Sequence, residues 1–292
     1  MKGSSQNSIS WTIGTILEWT TGYFTQKGIV SARLDAEVLL AYALEVERLY
    51  LYLNRDRPLS SAERQRYRTL VGRRARREPL ALITGTKEFW SIPFRIVPGV
   101  LIPRPETELL VEAVLDQIKD VPSPALLEIG TGSGAVAVAV ARECPRAHIL
   151  ATDVDTGALK IAALSARNAG VAEAIGLVAS DLFSALRPGP MFDVICSNPP
   201  YVPSGAVDTL APEIADFEPR RALDGGPDGL DVIRRLVEDA GGFLREHGVL
   251  ILEIGDQQET SVKEILGLKG SFRDIQVFSD LSGKPRVVKG KL

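Results

Sequence analysis

The 292-residue sequence holds only two cysteines, Cys144 and Cys196, far apart and each in an apolar stretch. It therefore has no disulfide framework, and both are expected to be buried thiols. It also holds only two histidines, His148 and His247, neither with a Cys or His at ligand spacing, which argues against a metal site. No apolar run approaches the roughly 18 residues of a membrane span. Met1 to Ser10 are polar and lack the basic start and compact apolar stretch of a secretory signal. No internal repeat or low-complexity segment is present. These absences predict a cytoplasmic protein without metal or membrane association. What is there, 45% hydrophobic and 24% charged residues, is ordinary for a folded protein, and the length suggests two domains.

The net charge of −3 is unevenly divided. Residues 1–85 carry 13 Lys/Arg against 8 Asp/Glu, a balance of +5, whereas residues 86–292 carry 21 against 29, a balance of −8. From Ile9 to about Arg77 apolar residues recur at helical spacing, as in Ile13, Ile16 and Leu17, then Ala36, Leu39, Leu40 and Ala43. This predicts an all-helical domain over residues 1–85. Ser60 and Glu63 form a capping-box signal for a helix running to about Arg77. That helix carries Arg64, Arg66, Arg68, Arg73, Arg74, Arg76 and Arg77, which read as a solvated face or as a contact for an RNA-rich partner.

Glu88 to Val97, apolar and aromatic with Pro93 and Pro98 near its end, predicts an irregular strand or hairpin, so residues 86–103 form a connector. Glu106 to Ile118 resumes helical spacing. Residues 104–292 then alternate short apolar runs (Ala125–Ile129, His148–Thr152, Ile175–Ala179, Phe192–Ser197, Val249–Ile254) with helical stretches near 135–143, 156–168, 230–245 and 258–266. Such alternation predicts an α/β fold, a parallel sheet covered by helices on both faces.

The first run ends in Glu128-Ile129-Gly130-Thr131-Gly132-Ser133-Gly134 and opens directly into a helix. Glycines in a strand-to-helix turn let a ligand lie against bare backbone. Asp153, about 20 residues on at the next strand end, is placed to accept both hydroxyls of a ribose. Together they predict an adenosine-containing ligand. Gly130, Gly132 and Ala135 also satisfy a looser dinucleotide fingerprint, which keeps a nicotinamide dehydrogenase open. Three glycines at alternate positions make a short, flat loop better suited to the amino-acid tail of S-adenosylmethionine. Asp181, at the third strand end, is a candidate for the adenine amino group or for capping the next helix.

The fourth run ends in Asn198-Pro199-Pro200-Tyr201. Ligands of open parallel sheets bind beyond the carboxyl ends of the strands, so Asn198 should face the glycine loop's crevice. Two prolines remove two backbone donors and leave a rigid turn rich in acceptors. A planar NH2 group offers two donors, for Asn198 Oδ1 and the Pro199 carbonyl, with the Tyr201 ring packing on the flat group. Catalysis there would rest on positioning rather than on a general base.

These residues resemble the bacterial release factor glutamine methyltransferases. The resemblance also covers Glu78-Pro79-Leu80-Ala81, Gly85, Glu88-Phe89, Leu101 to Glu108, Phe217-Glu218-Pro219 and Asp228-Gly229-Leu230. It implies a helical bundle that recognises substrate, joined by a hairpin to a seven-stranded Rossmann-like methyltransferase domain. The implied cofactor is S-adenosylmethionine, leaving as S-adenosylhomocysteine and bound by Glu128, Gly130, Thr131, Gly132, Ser133, Gly134, Asp153, Asp181, Leu182 and Asn198. The implied substrate is the glutamine of the Gly-Gly-Gln motif of class-I release factors, gripped by Asn198, Pro199, Pro200 and Tyr201 and converted to N5-methylglutamine by a monomer. Leu182 stands where some members carry an aromatic residue, and Glu128 where aspartate is frequent, with reach enough for the methionine amine. The rivals are a glutamine methyltransferase of a ribosomal protein and an adenine-N6 DNA methyltransferase, the latter disfavoured by the acidic balance of residues 86–292.

Overall fold

Apolar residues at three- and four-residue spacing fold the first part of the chain into helices. In the computed structural model, which describes residues 11–268 and 272–292, these are α1 (Ile13–Gln26), α2 (Ala32–Leu44), α3 (Arg48–Leu53), α4 (Ser61–Ala75) and α5 (Leu80–Thr84). Ile9 and the polar start from Met1 to Ser10 lie outside the described residues. Ile13, Ile16, Leu17, Ala36, Leu39, Leu40 and Ala43 are all buried in one cluster, where each Leu or Ile contributes about 1.5–3 kcal/mol by leaving water. The capping box forms: Glu63 N donates to Ser60 Oγ at 3.2 Å, and Ser60 N donates to Glu63 Oε2 at 2.8 Å.

The arginines of α4 do not form a uniform solvated face. Arg74 is buried and donates to Asp35 Oδ2 at 2.6 Å. Arg73 pairs with Glu78 at 2.5 Å, and Arg77 donates to the Lys27 and Gly28 carbonyls. Arg66, Arg68 and Arg76 are the exposed ones. The chain divides into two compact units between Gly85 and Thr86.

The second unit begins with an antiparallel hairpin of β1 (Thr86–Phe89) and β2 (Ile92–Arg95). Its turn residues Trp90 and Ser91 both adopt positive φ, the geometry that matches strand twist in a two-residue turn. A 3₁₀ turn (Pro105–Thr107) leads into α6 (Glu108–Ile118). There follow β3 (Ala125–Ile129), α7 (Ala135–Glu143), β4 (His148–Asp153), α8 (Thr156–Asn168), β5 (Ile175–Ala179), β6 (Phe192–Ser197), α9 (Pro212–Ala215), α10 (Asp231–Ala240), β7 (Leu244–Glu253), α11 (Glu259–Gly267), β8 (Arg273–Ser279) and β9 (Pro285–Lys291).

The seven-stranded sheet has the order β5-β4-β3-β6-β7-β9-β8; β3 to β7 run parallel, and β9 is antiparallel to both neighbours. The order reverses between β3 and β6, where ligands bind in open sheets of this kind. Ile129 is in register with Ser197 and with Thr152, so three strands end side by side at that point. Two departures from the spacing are instructive. α10 stops at Ala240 instead of continuing to 245, because Gly241 and Gly242 interrupt it, and β7 starts at Leu244 rather than Val249. Spacing also left β8 and β9 unassigned, since both mix charged and apolar residues. Among the described residues, no helix is long and apolar enough to cross a membrane.

Candidate active site

At the end of β3 the chain turns through Gly130, Gly132 and Gly134, with φ of +74°, +55° and +82°, and enters α7. A Cβ at Gly130 or Gly132 would meet nothing within 4 Å, so the loop's backbone borders open space. At Gly134 a Cβ would lie 3.1 Å from Ala162, so there the glycine lets α7 pack against α8. The loop is tied to β4: Gly130 N and Thr131 N both donate to the Thr152 carbonyl at 2.8 and 2.9 Å. Asp153 Oδ2 accepts from Gly132 N at 2.8 Å and Oδ1 from Asp155 N at 2.8 Å, which fixes the carboxylate at the crevice rim.

Glu128 is buried, and its Oε2 accepts from Thr131 Oγ1 at 2.7 Å and from Ala137 N at 3.1 Å. Burial pushes its pKa up to about 8, against those two hydrogen bonds, with the Asp153 charge adding to the rise. Thr131 and Ser133 are buried as well. At the third strand end Asp181 is ion-paired with Arg235 at 2.9 Å. Leu182 is held at φ +49° between Ser180 and Phe183, its carbonyl accepting from Ser180 Oγ at 2.8 Å. An apolar side chain in that conformation is strained.

Asn198, Pro199 and Pro200 follow β6 and line the same crevice as the glycine loop, Asp153, Asp181 and Leu182. Asn198 is half-buried, and its Nδ2 donates to Thr107 Oγ1 at 3.1 Å, which leaves Oδ1 as the amide's remaining polar end. Among the described residues no hydrogen bond ends on the Pro199 carbonyl. Tyr201 is placed differently from the expectation of a ring on the substrate: it is not part of the crevice lining, and its hydroxyl donates to Glu253 Oε1 at 3.3 Å.

The turn is braced from beneath. Gln258 Nε2 donates to the carbonyls of Tyr201 and Gly229 at 3.0 and 3.2 Å, while its Oε1 accepts from Gly255 N at 2.8 Å. Val202 N donates to the Leu223 carbonyl and the Val202 carbonyl accepts from Gly225 N, at 2.8 Å each. Arg104 Nη2 donates to the buried Glu218 Oε1 at 2.5 Å, and Arg221 pairs with Asp155 across the mouth. Glu253 and Gln258 were not singled out from the sequence; Arg104, Thr107 and Glu218 fall within segments that carry the family resemblance but were given no role there. Glu253 left one signal, a carboxylate inside the apolar run Val249–Ile254; Gln258 left none.

Fold and crevice define a methyltransferase of the doubly wound, Rossmann-like class. The "PrmC N-terminal domain" family model matches residues 15–85, and the "Methyltransferase small domain" model matches residues 105–216. A release factor glutamine methyltransferase from Rhodopirellula baltica is 42% identical over 288 residues, covering 97% of each chain. Another, from Geobacter sulfurreducens, is 42% identical over 282 residues, again 97% of each. The hMettl16 catalytic domain shares the fold, with a TM-score of 0.57 at 16% identity over 78% of this chain and 79% of its own. The chain belongs to the release factor glutamine methyltransferase family.

Proposed function

We propose that this protein transfers a methyl group from S-adenosylmethionine to the N5 side-chain nitrogen of the glutamine in the Gly-Gly-Gln motif of class-I release factors. The observation that carries the proposal is the placement of Asn198, on a proline-stiffened turn in the same crevice as the glycine loop and Asp153. The residues present fit such a cofactor. Backbone at Gly130 and Gly132 has no neighbour where a Cβ would stand, Asp153 presents a fixed carboxylate for ribose hydroxyls, and the buried Glu128 lies beneath the loop for the methionine amine. Asp181 remains a candidate for adenine only by its second oxygen, since Oδ2 is engaged by Arg235.

When bound, the cofactor supplies a methyl group on a positively charged sulfur. The chain's own residues must overcome the poor nucleophilicity of an amide nitrogen, whose lone pair is delocalised into its carbonyl. Asn198 Oδ1 and the Pro199 carbonyl accept the two amide hydrogens and orient the nitrogen. As positive charge grows on that nitrogen, the same two acceptors stabilise it without having to reorganise, and one of the two held hydrogens leaves as a proton to give the neutral N5-methyl amide. Pro199 and Pro200 supply no N–H that would compete for these acceptors.

Incubation with methyl-labelled cofactor and a purified release factor, followed by mapping of the modified residue, tests the proposal. Label on the glutamine of Gly-Gly-Gln is the expected result. Label confined to a ribosomal protein or to DNA would overturn the substrate and leave the class of enzyme standing.

A further inference from the structure

Three arginines line the crevice among the described residues, and the mechanism above uses none of them. Arg221 and Arg235 are paired with Asp155 and Asp181, just past the ends of β4 and β5. Arg104 is tied instead to the turn after β6, on the other side of β3. Thr107 N donates to the Arg104 carbonyl at 3.1 Å, and the Thr107 hydroxyl accepts from Asn198 Nδ2 at 3.1 Å. Pro103 and Pro105 flank Arg104, whose backbone is extended at φ −99° and ψ 143°.

The guanidinium is engaged on one arm only. Its Nη2 donates to Glu218 Oε1 at 2.5 Å, and Glu218 Oε2 has no partner among the described residues, although arginine and a carboxylate commonly join through two bonds. Nε and Nη1 make no hydrogen bond among the described residues, so their donors are left for the crevice that Arg104 lines. The Arg104 side chain is 29% exposed and that of Glu218 2%. Burial raises the Glu218 pKa, and the Arg104 charge opposes the rise. A guanidinium already matched by a buried carboxylate offers directional N–H groups with little net charge. Such groups suit a neutral acceptor, a carbonyl, better than a second anion.

The two glycines ahead of the acceptor glutamine have no side chains, so only their carbonyls and N–H groups can identify them. The Asn198 turn meets them with acceptors, because its prolines carry no N–H, and a donor has to come from beside it. A donor on the glutamine's own amide oxygen would strengthen the delocalisation that makes the nitrogen a poor nucleophile. We infer that Arg104, held by Glu218, donates to a main-chain carbonyl of the Gly-Gly-Gln segment and so fixes the peptide that presents the acceptor glutamine. The inference rests on the function proposed above; Arg104 is a substrate-binding residue in it and Glu218 a positioning residue.

The test uses the full-length enzyme with Arg104→Ala and Arg104→Lys. Lysine keeps a cation for Glu218 but has a single nitrogen, which cannot serve both partners as the fork does. Both variants should raise the KM for release factor about tenfold or more, the scale of one charged hydrogen bond. Their kcat should stay within about threefold, since a carbonyl remote from the reacting nitrogen is held equally in ground and transition states. Calorimetric affinity for S-adenosylhomocysteine should also stay within about threefold. Gly-Gly-Gln peptides in which one or other of the two peptide links is an ester, a poorer acceptor, supply the second arm. One of the esters should lower kcat/KM about threefold or more with the wild type and no further with Arg104→Lys. A wild-type KM for Arg104→Lys, or ester penalties equal in the two enzymes, overturns the inference. So does a loss of affinity for S-adenosylhomocysteine with that for 5′-methylthioadenosine unchanged, because the guanidinium would then be holding the cofactor's carboxylate. If Arg104→Ala does not fold, Arg104→Lys decides alone. A wild-type enzyme that leaves the glutamine unmodified sinks the proposed function and the inference with it, whereas an active enzyme indifferent to Arg104 sinks only the inference.

Discussion

Asn198 offers its amide nitrogen to Thr107 and so has one acceptor left for a ligand. Asn198→Ala removes that acceptor without touching the glycine loop or Asp153. Turnover is expected to fall roughly a hundredfold or more, on the scale of losing one preorganised polar group. Calorimetric binding of S-adenosylmethionine should be retained. Near-normal turnover with intact binding would remove Asn198 from the mechanism. Glu128 gives a second, thermodynamic test. Its folded pKa of about 8 lies above its ordinary value of 4.5, so the folded state favours the protonated form. The resulting stability is full below the ordinary value and is lost as pH rises through about 8. Glu128→Gln keeps the shape and cannot ionise. Its melting temperature should therefore match the wild type near pH 5 and exceed it by at least a few degrees at pH 9, where about 1 kcal/mol corresponds to roughly 2–4 °C. A gap that does not widen with pH would show that Glu128 is not buried as described.

At the scale of elements, the glycine loop and the Asn198 turn meet because β3 and β6 are neighbours whose ends coincide in register. The turn itself is held by the 225–229 segment. At Gly229, with φ +77°, a Cβ would stand 2.3 Å from the Tyr201 carbonyl oxygen. Gly229→Ala must move one backbone or the other, at a cost of about 1–3 kcal/mol from the φ alone. Activity should fall further than stability does, because the displaced atoms belong to the turn bearing Asn198. Denaturation and turnover measured on the same variant separate the two; a turnover unchanged beside a lowered midpoint would show the brace to be irrelevant to the site. This brace also marks where the sequence stops being legible. The loop, Asp153 and Asn198 stand at strand ends, where spacing along the chain locates them. Thr107, Glu253 and Gln258 act through contacts made only when distant segments fold together, and no local pattern encodes that. The hairpin was expected from the sequence, but the position of its turn was not, because Trp90 and Ser91 occupy positions usually signalled by Asn-Gly. β8, at the sheet edge, and β9, beside it, escaped because both mix charged residues with apolar ones instead of forming the continuous apolar runs of buried parallel strands.

For the molecule as a whole, every residue that lines the crevice lies between Gly99 and Arg235, inside the second compact unit. The helical unit contributes none of them. It has its own core around Ile13, Leu39, Leu40 and Tyr67, and Arg74 and Arg73 on α4, with Arg77 just beyond it, are engaged within it, by Asp35, by Glu78 and by backbone carbonyls. With those arginines engaged, Arg66 and Arg68 on this helix and Arg76 at its end are the exposed members of the series. Cofactor binding and recognition of a protein substrate should therefore be separable. A chain of residues 86–292 is expected to bind S-adenosylmethionine within about threefold of the full-length affinity, since no contact of the crevice is lost. It should still methylate a short peptide containing Gly-Gly-Gln slowly, and it should lose the preference of the full chain for an intact release factor. Equal kcat/KM of the truncated and full chains on the intact factor would show that the helical unit takes no part in recognising the substrate.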